Sequence, residues 1–200
     1  MERRIIWVGI VSFLLVGFAI VFSMLLSKPA SIRGTAYVEP YPAAAEFELT
    51  RSSGDVFRLS EQRDKIVLLF FGYTSCPDVC PTTPAELNLA LNQITEKAEQ
   101  VQVVFVTVDP ERDTAQAVQA YVSRFNTSFI GLSGSLDQLE NIWQDYGVFR
   151  EMAQNVLAAG VIINQTARVT LIDTQGNMRL SYGFGTPVED IVHDLNLILK

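Results

Sequence analysis

The segment that most restricts the fold is Ile66-Val67-Leu68-Leu69-Phe70-Phe71, six consecutive apolar residues with no polar face. A strand that shows one face to water alternates. An unbroken run rich in branched and aromatic side chains belongs in the middle of a sheet covered on both sides. Directly after it comes Gly72-Tyr73-Thr74-Ser75-Cys76-Pro77-Asp78-Val79-Cys80-Pro81, which holds the only two cysteines of the 200 residues. A helical pattern follows. Thr83-Pro84-Ala85-Glu86 has the form of a capping box with proline at the first helical position, and Leu87, Leu91 and Ile94 carry an apolar stripe to about Ala98. Cys76 and Cys80 are therefore expected in the strand-to-helix loop, ahead of the regular helix.

The same alternation continues. Val101 to Val108 reads as a second buried strand ending at Asp109-Pro110. Helices are expected over 114–125, with Ala117, Val118 and Tyr121 at helical spacing, and over 135–146, with Leu136, Leu139, Ile142 and Trp143 on one face. Val169–Ile172 and Met178–Tyr182 flank Asp173-Thr174-Gln175-Gly176-Asn177 as an antiparallel hairpin, and a last helix runs from about Pro187 to Leu199. Upstream, Glu46–Leu49 and Val56–Leu59 flank a Ser-Ser-Gly-Asp turn as a first hairpin. No internal repeat or low-complexity tract interrupts this order. The plan is α/β and thioredoxin-like: a central mixed sheet flanked by helices, with an N-terminal β-hairpin and a cysteine pair between the first long strand and its helix.

Before the domain, Ile5 to Leu26 is 22 residues without a charge. As a helix it would span roughly 33 Å against an apolar bilayer thickness of about 30 Å. The expected organisation is a cytoplasmic N-terminus over 1–4, a transmembrane anchor over 5–27, a linker over 28–45 with Pro29, Gly34, Pro40 and Pro42, and the domain over 46–200. The run is longer than a signal-peptide core and no clean small-residue cleavage site follows it, so an uncleaved single-pass anchor is expected, with the domain on the extracytoplasmic side. After Arg33 there are 11 basic and 21 acidic residues, a net charge of −10, which argues against a nucleic-acid partner.

Two thiols this close can cycle as a dithiol/disulfide pair or hold one soft metal ion between two thiolates. A static disulfide closing so short a loop would constrain little of the unfolded chain. Outside the membrane the pair meets an oxidising environment, so its redox state becomes a functional variable.

Cys76-Pro77-Asp78-Val79-Cys80-Pro81 resembles the copper-site loop of the Sco/SenC family. Val108-Asp109-Pro110-Glu111-Arg112-Asp113-Thr114, then Phe129-Ile130-Gly131-Leu132-Ser133-Gly134 and Leu171-Ile172-Asp173 before Gly176, are similar to that family's later segments. The resemblance covers roughly the last 150 residues and implies a membrane-anchored, extracytoplasmic thioredoxin-fold protein that helps assemble the copper centre of cytochrome c oxidase. Its implied partners are the oxidase copper-centre subunit or another copper chaperone. Cys76 and Cys80 would act as copper ligands, as the redox pair that reduces target cysteines, or as both. A metal-free thiol–disulfide oxidoreductase and a redox sensor read through the anchor stay open beside the metallochaperone. A peroxidase reading has no support beyond the loop cysteines.

The resemblance also implies a histidine ligand in an Asp-His-Thr triplet before the strand at Val169. Here that triplet is Asn164-Gln165-Thr166, and Gln165 stands at the ligand position. Glutamine is a weak, hard donor beside imidazole, so its presence favours Cu(I), which accepts two thiolates, over Cu(II). The single histidine, His193, falls with Glu189 and Asn196 on the expected outer face of the last helix and reads as a surface residue. Asp109, Glu111, Arg112 and Asp113 read as the end of a strand and the start of a helix rather than a catalytic cluster. Trp143, Tyr146 and Phe149 read as packing and surface residues, and the four methionines are too scattered for a methionine-rich copper site.

Overall fold

The computed structural model describes residues 16–18, 31–77, 79–152, 163–165 and 167–199. The chain forms two units, residues 1–31 and 32–200. In the first, residues 16–18 are helical. Most of the expected anchor over 5–27 lies outside the described residues, among which no helix is long and apolar enough to cross a membrane.

The second unit is built on one six-stranded mixed sheet. Its strands are β1 (Thr35–Ala36), β4 (Ile66–Gly72), β5 (Val101–Thr107), β6 (Ile130–Leu132), β9 (Arg168–Ile172) and β10 (Met178–Gly183), in the order β1-β10-β9-β4-β5-β6. A separate ribbon pairs β2 (Glu48–Thr50) with β3 (Val56–Arg58), and another pairs β7 (Arg150–Met152) with β8 (Ile163–Gln165). β4, β5 and β6 are parallel, whereas β9 runs antiparallel to β4 and β10 antiparallel to β9. The helices are α1 (Val79–Ile94), α2 (Ala115–Val122), α3 (Leu136–Asp145) and α4 (Val188–Ile198). Right-handed crossovers from β4 to β5 and from β5 to β6 carry α1 and α2 over the same face, and α4 packs against α1.

Every residue of β4 and of β5 is buried, as their unbroken apolar sequence requires. Alternation within β4 then divides the aromatics between two faces. On one side Phe70 meets Phe105 at 5.5 Å between ring centroids, Phe105 meets Tyr121 at 5.7 Å, and Tyr121 meets Phe125 at 5.4 Å. On the other, Phe71 lies 5.6 Å from Tyr146, which lies 6.1 Å from Phe47 of the segment leading into β2. Trp143 and Tyr146, at the end of α3, are buried, and Phe149 is exposed.

Three expectations change. Residues 32–45, expected as part of a linker, are fastened to the domain. Thr35 and Ala36 pair with Ser181 and Leu180, the Met178 N–H donates to Pro42 O at 2.8 Å, and the Ala44 N–H to Gly176 O at 2.8 Å. These partners are distant in sequence, so the segment shows no period of its own. Second, α1 begins at Val79 rather than Thr83. Pro81 is tolerated in a first turn whose N–H groups have no intrahelical acceptor, and Pro84 sits inside the helix. The Thr83 hydroxyl donates back to Val79 O at 3.1 Å, so it acts within the helix and not as its cap. Third, β6 and the β7–β8 ribbon, three residues per strand, were too short to show a period.

Candidate functional site: a cysteine pair latched by a buried carboxylate

β4 delivers the chain to the cysteine loop through Gly72. A Cβ at Gly72 would stand 2.7 Å from Phe105 Cζ, so only glycine lets the strand pass this close to the ring. The Val108 N–H donates to Gly72 O at 2.8 Å and ties the loop's start to the end of β5. Tyr73 is buried, with the Arg112 guanidinium 5.9 Å over its ring. A tight turn follows, in which the Cys76 N–H donates to Tyr73 O at 3.3 Å.

Cys76 and Cys80 are both present as thiols, and their surroundings differ. Cys76, in the loop, is half-buried at the edge of the core; Cys80, in the first turn of α1, is fully buried. The expectation that both precede the helix holds for Cys76 alone. The shift matters chemically, because the first turn of a helix carries the partial positive charge of its unpaired N–H groups and favours a nearby thiolate. The accessible sulfur is the one a partner can reach, and the buried one can resolve or share what it receives.

What holds the loop is Asp113. Its carboxylate accepts the Thr74 N–H at 2.9 Å, the Thr74 hydroxyl at 2.5 Å and the Thr107 hydroxyl at 2.7 Å, all at a residue with no exposed surface. The Thr107 Oγ1 accepts in turn from the Asp109 N–H at 2.9 Å, and the Ser133 hydroxyl donates to Asp113 O at 2.6 Å. The helix-starting role expected near Asp113 belongs to Thr114, whose hydroxyl accepts the Ala117 N–H at 3.2 Å. Asp113 is therefore the functional residue that sequence reasoning missed; its neighbour supplied a sufficient local explanation.

The rest of the acidic cluster braces this turn. Asp109 is buried and bonded to the Arg112 guanidinium. Burial pushes its carboxyl above the ordinary aspartate range, and Arg112 opposes the shift. At Glu111, burial pulls upward but is outweighed by hydrogen bonds from its own backbone and Arg150, leaving the carboxyl below its ordinary value. Arg150 reaches Glu111 at 2.9 Å and lies 5.3 Å over the Trp143 ring, while Trp143 Nε1–H donates to Thr107 O at 3.2 Å.

Gln165 enters by its backbone, paired with Arg150 in the β7–β8 ribbon, with Asn164 opposite Glu151. Asp78 and Thr166 lie outside the described residues. His193 is half-buried on α4. Among the described residues no group of three or more histidine, cysteine, aspartate or glutamate side chains is placed to hold a metal ion, so His193 does not complete the cysteine pair. Among the described residues, the soft donors on offer are the sulfurs of Cys76 and Cys80. That set suits a soft, low-coordinate monovalent ion and does not suit a hard or tetragonal one.

With this geometry in place, known proteins supply the frame. Residues 35–200 match the SCO1/SenC family model. A SCO2-like protein of Rickettsia felis is 30% identical over 153 residues, covering 74% of this chain and 75% of the relative. The solution structure of apo Sco1 from Thermus thermophilus superposes with a TM-score of 0.74 at 38% identity, covering 84% of this chain and 96% of that one. The copper-bound structure of Bradyrhizobium japonicum ScoI gives a TM-score of 0.70 at 30% identity, covering 78% of this chain and 99% of that one. The fold, the cysteine loop and the 166 matched residues agree: this chain belongs to the SCO1/SenC family.

Proposed function

We propose that the chain carries Cu(I) between Cys76 and Cys80 and serves assembly of the copper centre of cytochrome c oxidase. The observation that carries this reading is the pair itself: two thiols in one latched loop, one half-buried and one buried, with no third ligand of the usual kinds among the described residues. Two thiolates satisfy Cu(I), while Cu(II) would ask for nitrogen donors. The copper-bound ScoI of Bradyrhizobium japonicum supports copper as the cargo. Delivery would proceed by ligand exchange. An acceptor thiolate approaches copper from the Cys76 side, forms its bond as the Cys76 sulfur leaves, and a second acceptor ligand then displaces Cys80. The acceptor is the oxidase copper-centre subunit. Residues 5–27 would hold the domain at the extracytoplasmic face as a single-pass anchor, a reading supported by their uncharged apolar run.

The difference in burial between the cysteines also favours a second use of the same loop. As a thiolate, Cys76 would attack a target disulfide, form a mixed disulfide and release one target thiolate. Cys80 would then attack the Cys76 sulfur and release the second. Two electrons and two protons pass to the target, and the chain is left with a Cys76–Cys80 disulfide.

The experiment mixes Cu(I)-loaded, full-length chain with a metal-free, prereduced dicopper-centre fragment of the oxidase. The two are separated and the acceptor is treated with ferricyanide, which takes one electron from a filled dicopper site; appearance of the mixed-valence copper absorbance in the acceptor supports delivery. Failure to transfer to the reduced fragment, with reduction of the oxidised fragment by the metal-free chain, would replace delivery by the reductase reading. Gln165→His should tighten Cu(II) far more than Cu(I), and unchanged Cu(II) binding would remove Gln165 from the ligand position.

A further inference from the structure

Phe184 stands at the tip of the turn between β10 and α4, with 50% of its surface open to solvent. The turn is built to hold it there. The Thr186 N–H and hydroxyl both donate to Gly183 O, at 3.2 and 2.8 Å, and Gly185 closes the turn at a φ of +79° that residues other than glycine rarely adopt. β10 runs parallel to β4, since both are antiparallel to β9, so this turn lies at the end of the sheet where β4 enters the cysteine loop. Phe184 shares a cleft there with Thr83, Glu86 and Leu87 of α1. Thr83 is one helical turn from Cys80, and Glu86 follows Cys80 by about 9 Å along the axis.

This surface is incomplete by itself. Leu89, a neighbour of Glu86 on the outer side of α1, is 53% exposed. Glu86, which adjoins both apolar side chains, has no basic partner among the described residues, and partial burial raises its carboxyl above the ordinary glutamate range with nothing to oppose the shift. The other described acids around the cysteine loop are matched: Asp109 by Arg112, Glu111 by Arg150, and Asp113 by the Thr74 and Thr107 donors. Open apolar groups around an unmatched carboxylate are complementary to a surface that carries apolar groups around a lysine or arginine.

We propose that Phe184, Glu86 and Leu89 form the docking patch for the protein that receives copper at Cys76, and that this acceptor sets a lysine or arginine against Glu86 and apolar side chains against Phe184 and Leu89. The inference rests on the copper-carrying reading above and adds how its acceptor is held. An interface of ordinary size covers about 800 Å² of each partner, about 30 Å across, so an acceptor whose sulfur meets Cys76 extends over this patch. The excess of 21 acidic over 11 basic residues after Arg33 favours the same basic partner. The patch takes no part in the exchange of sulfur ligands.

The test mixes Cu(I)-loaded, full-length chain with the prereduced dicopper-centre fragment and, separately, with glutathione, a thiol too small to use the patch. Phe184→Ala should lower the rate of transfer to the fragment about tenfold, a drop absent with glutathione. Glu86→Gln should lower it about threefold at low salt and converge on the parent at high salt, because only the charge is lost. Equal transfer to the fragment by the parent and both variants would overturn the inference. So would an equal drop with glutathione, which would mark a disturbed copper loop. A parent dimer that Phe184→Ala turns into a monomer without slowing transfer would overturn it too, giving the patch to a second copy of the chain. A parent that binds no Cu(I), or passes none to the fragment, would overturn the copper-carrying reading itself and this inference with it.

Discussion

Thr74, two residues ahead of Cys76, donates both its backbone N–H and its hydroxyl to the buried carboxylate of Asp113, at 2.9 and 2.5 Å. The cysteine loop is thus pinned to the turn between β5 and α2, thirty-nine residues later in the chain. Asp113→Asn replaces one acceptor oxygen by a donor facing the Thr74 and Thr107 groups, and should destabilise the fold by about 2–3 kcal/mol. Thr74→Val removes only the hydroxyl and should cost about 1 kcal/mol. Urea unfolding of the reduced protein measures both. Equal stability of Asp113→Asn and the parent would contradict the latch.

Alkaline pH should unfold the protein through its buried phenols. Burial, first among the causes, raises the hydroxyls of Tyr121, Tyr146 and Tyr182 above their ordinary value of 10.0. In the unfolded chain these groups lose protons near that value, while in the folded chain they keep them. The native state then binds more protons, so stability is fully present below about pH 10 and falls as pH rises above it. Each tyrosine contributes about 1.4 kcal/mol per pH unit in that window. Denaturant titrations at successive alkaline pH values should show this fall, and its loss in part for Tyr146→Phe.

Gly131 marks where β6 meets α2. A Cβ there would lie 2.7 Å from the Val118 carbonyl carbon and 2.8 Å from Gln119 N, both backbone atoms that cannot rotate away. Gly131→Ala should therefore destabilise by about 2–3 kcal/mol, at the upper end of ordinary overpacking. Gly54→Ala is a contrasting control: its added Cβ meets nothing within 4 Å, and its cost comes from a φ of +95° alone. A smaller loss for Gly131→Ala than for Gly54→Ala in thermal unfolding would contradict the close approach.

The segment entering the domain is held by α4. Asp194, with no exposed surface, accepts the Arg33 N–H at 2.9 Å and the Gly34 N–H at 2.8 Å. Asp194→Ala leaves those donors unmet and should cost about 2–4 kcal/mol. Arg33→Ala removes the partly exposed 2.8 Å ion pair to Asp190 but keeps the backbone N–H, and should cost under about 1 kcal/mol. Hydrogen exchange at Arg33 and Gly34 should quicken in the first variant and not in the second.

Much of this protein was legible in its sequence. The β4 and β5 runs, the α3 stripe of Leu139, Ile142 and Trp143, and the hairpin turning at Gly176 are local signals, and the structure has them within a residue or two. What escaped depends on contacts between distant residues. Asp194 carries no local signal of its own, and its role shows only where the segment at Arg33 meets it. Asp113 had a ready local role as a helix-starting residue, and only its 2.9 Å bond to the Thr74 N–H shows the one it has. The start of α1 was misread because the Thr83–Glu86 spacing imitates a capping box; the earlier start at Val79 places Cys80 in the helix.

The most direct test of the account is the Cu(I) affinity of the reduced, full-length chain under anaerobic competition with a chelator. Two soft sulfurs at Cys76 and Cys80, without a third ligand among the described residues, predict tight binding of one Cu(I) per chain that disappears in Cys76→Ser. A parent chain that cannot compete for Cu(I), or a Cys76→Ser variant that binds it as tightly as the parent, would contradict the claim.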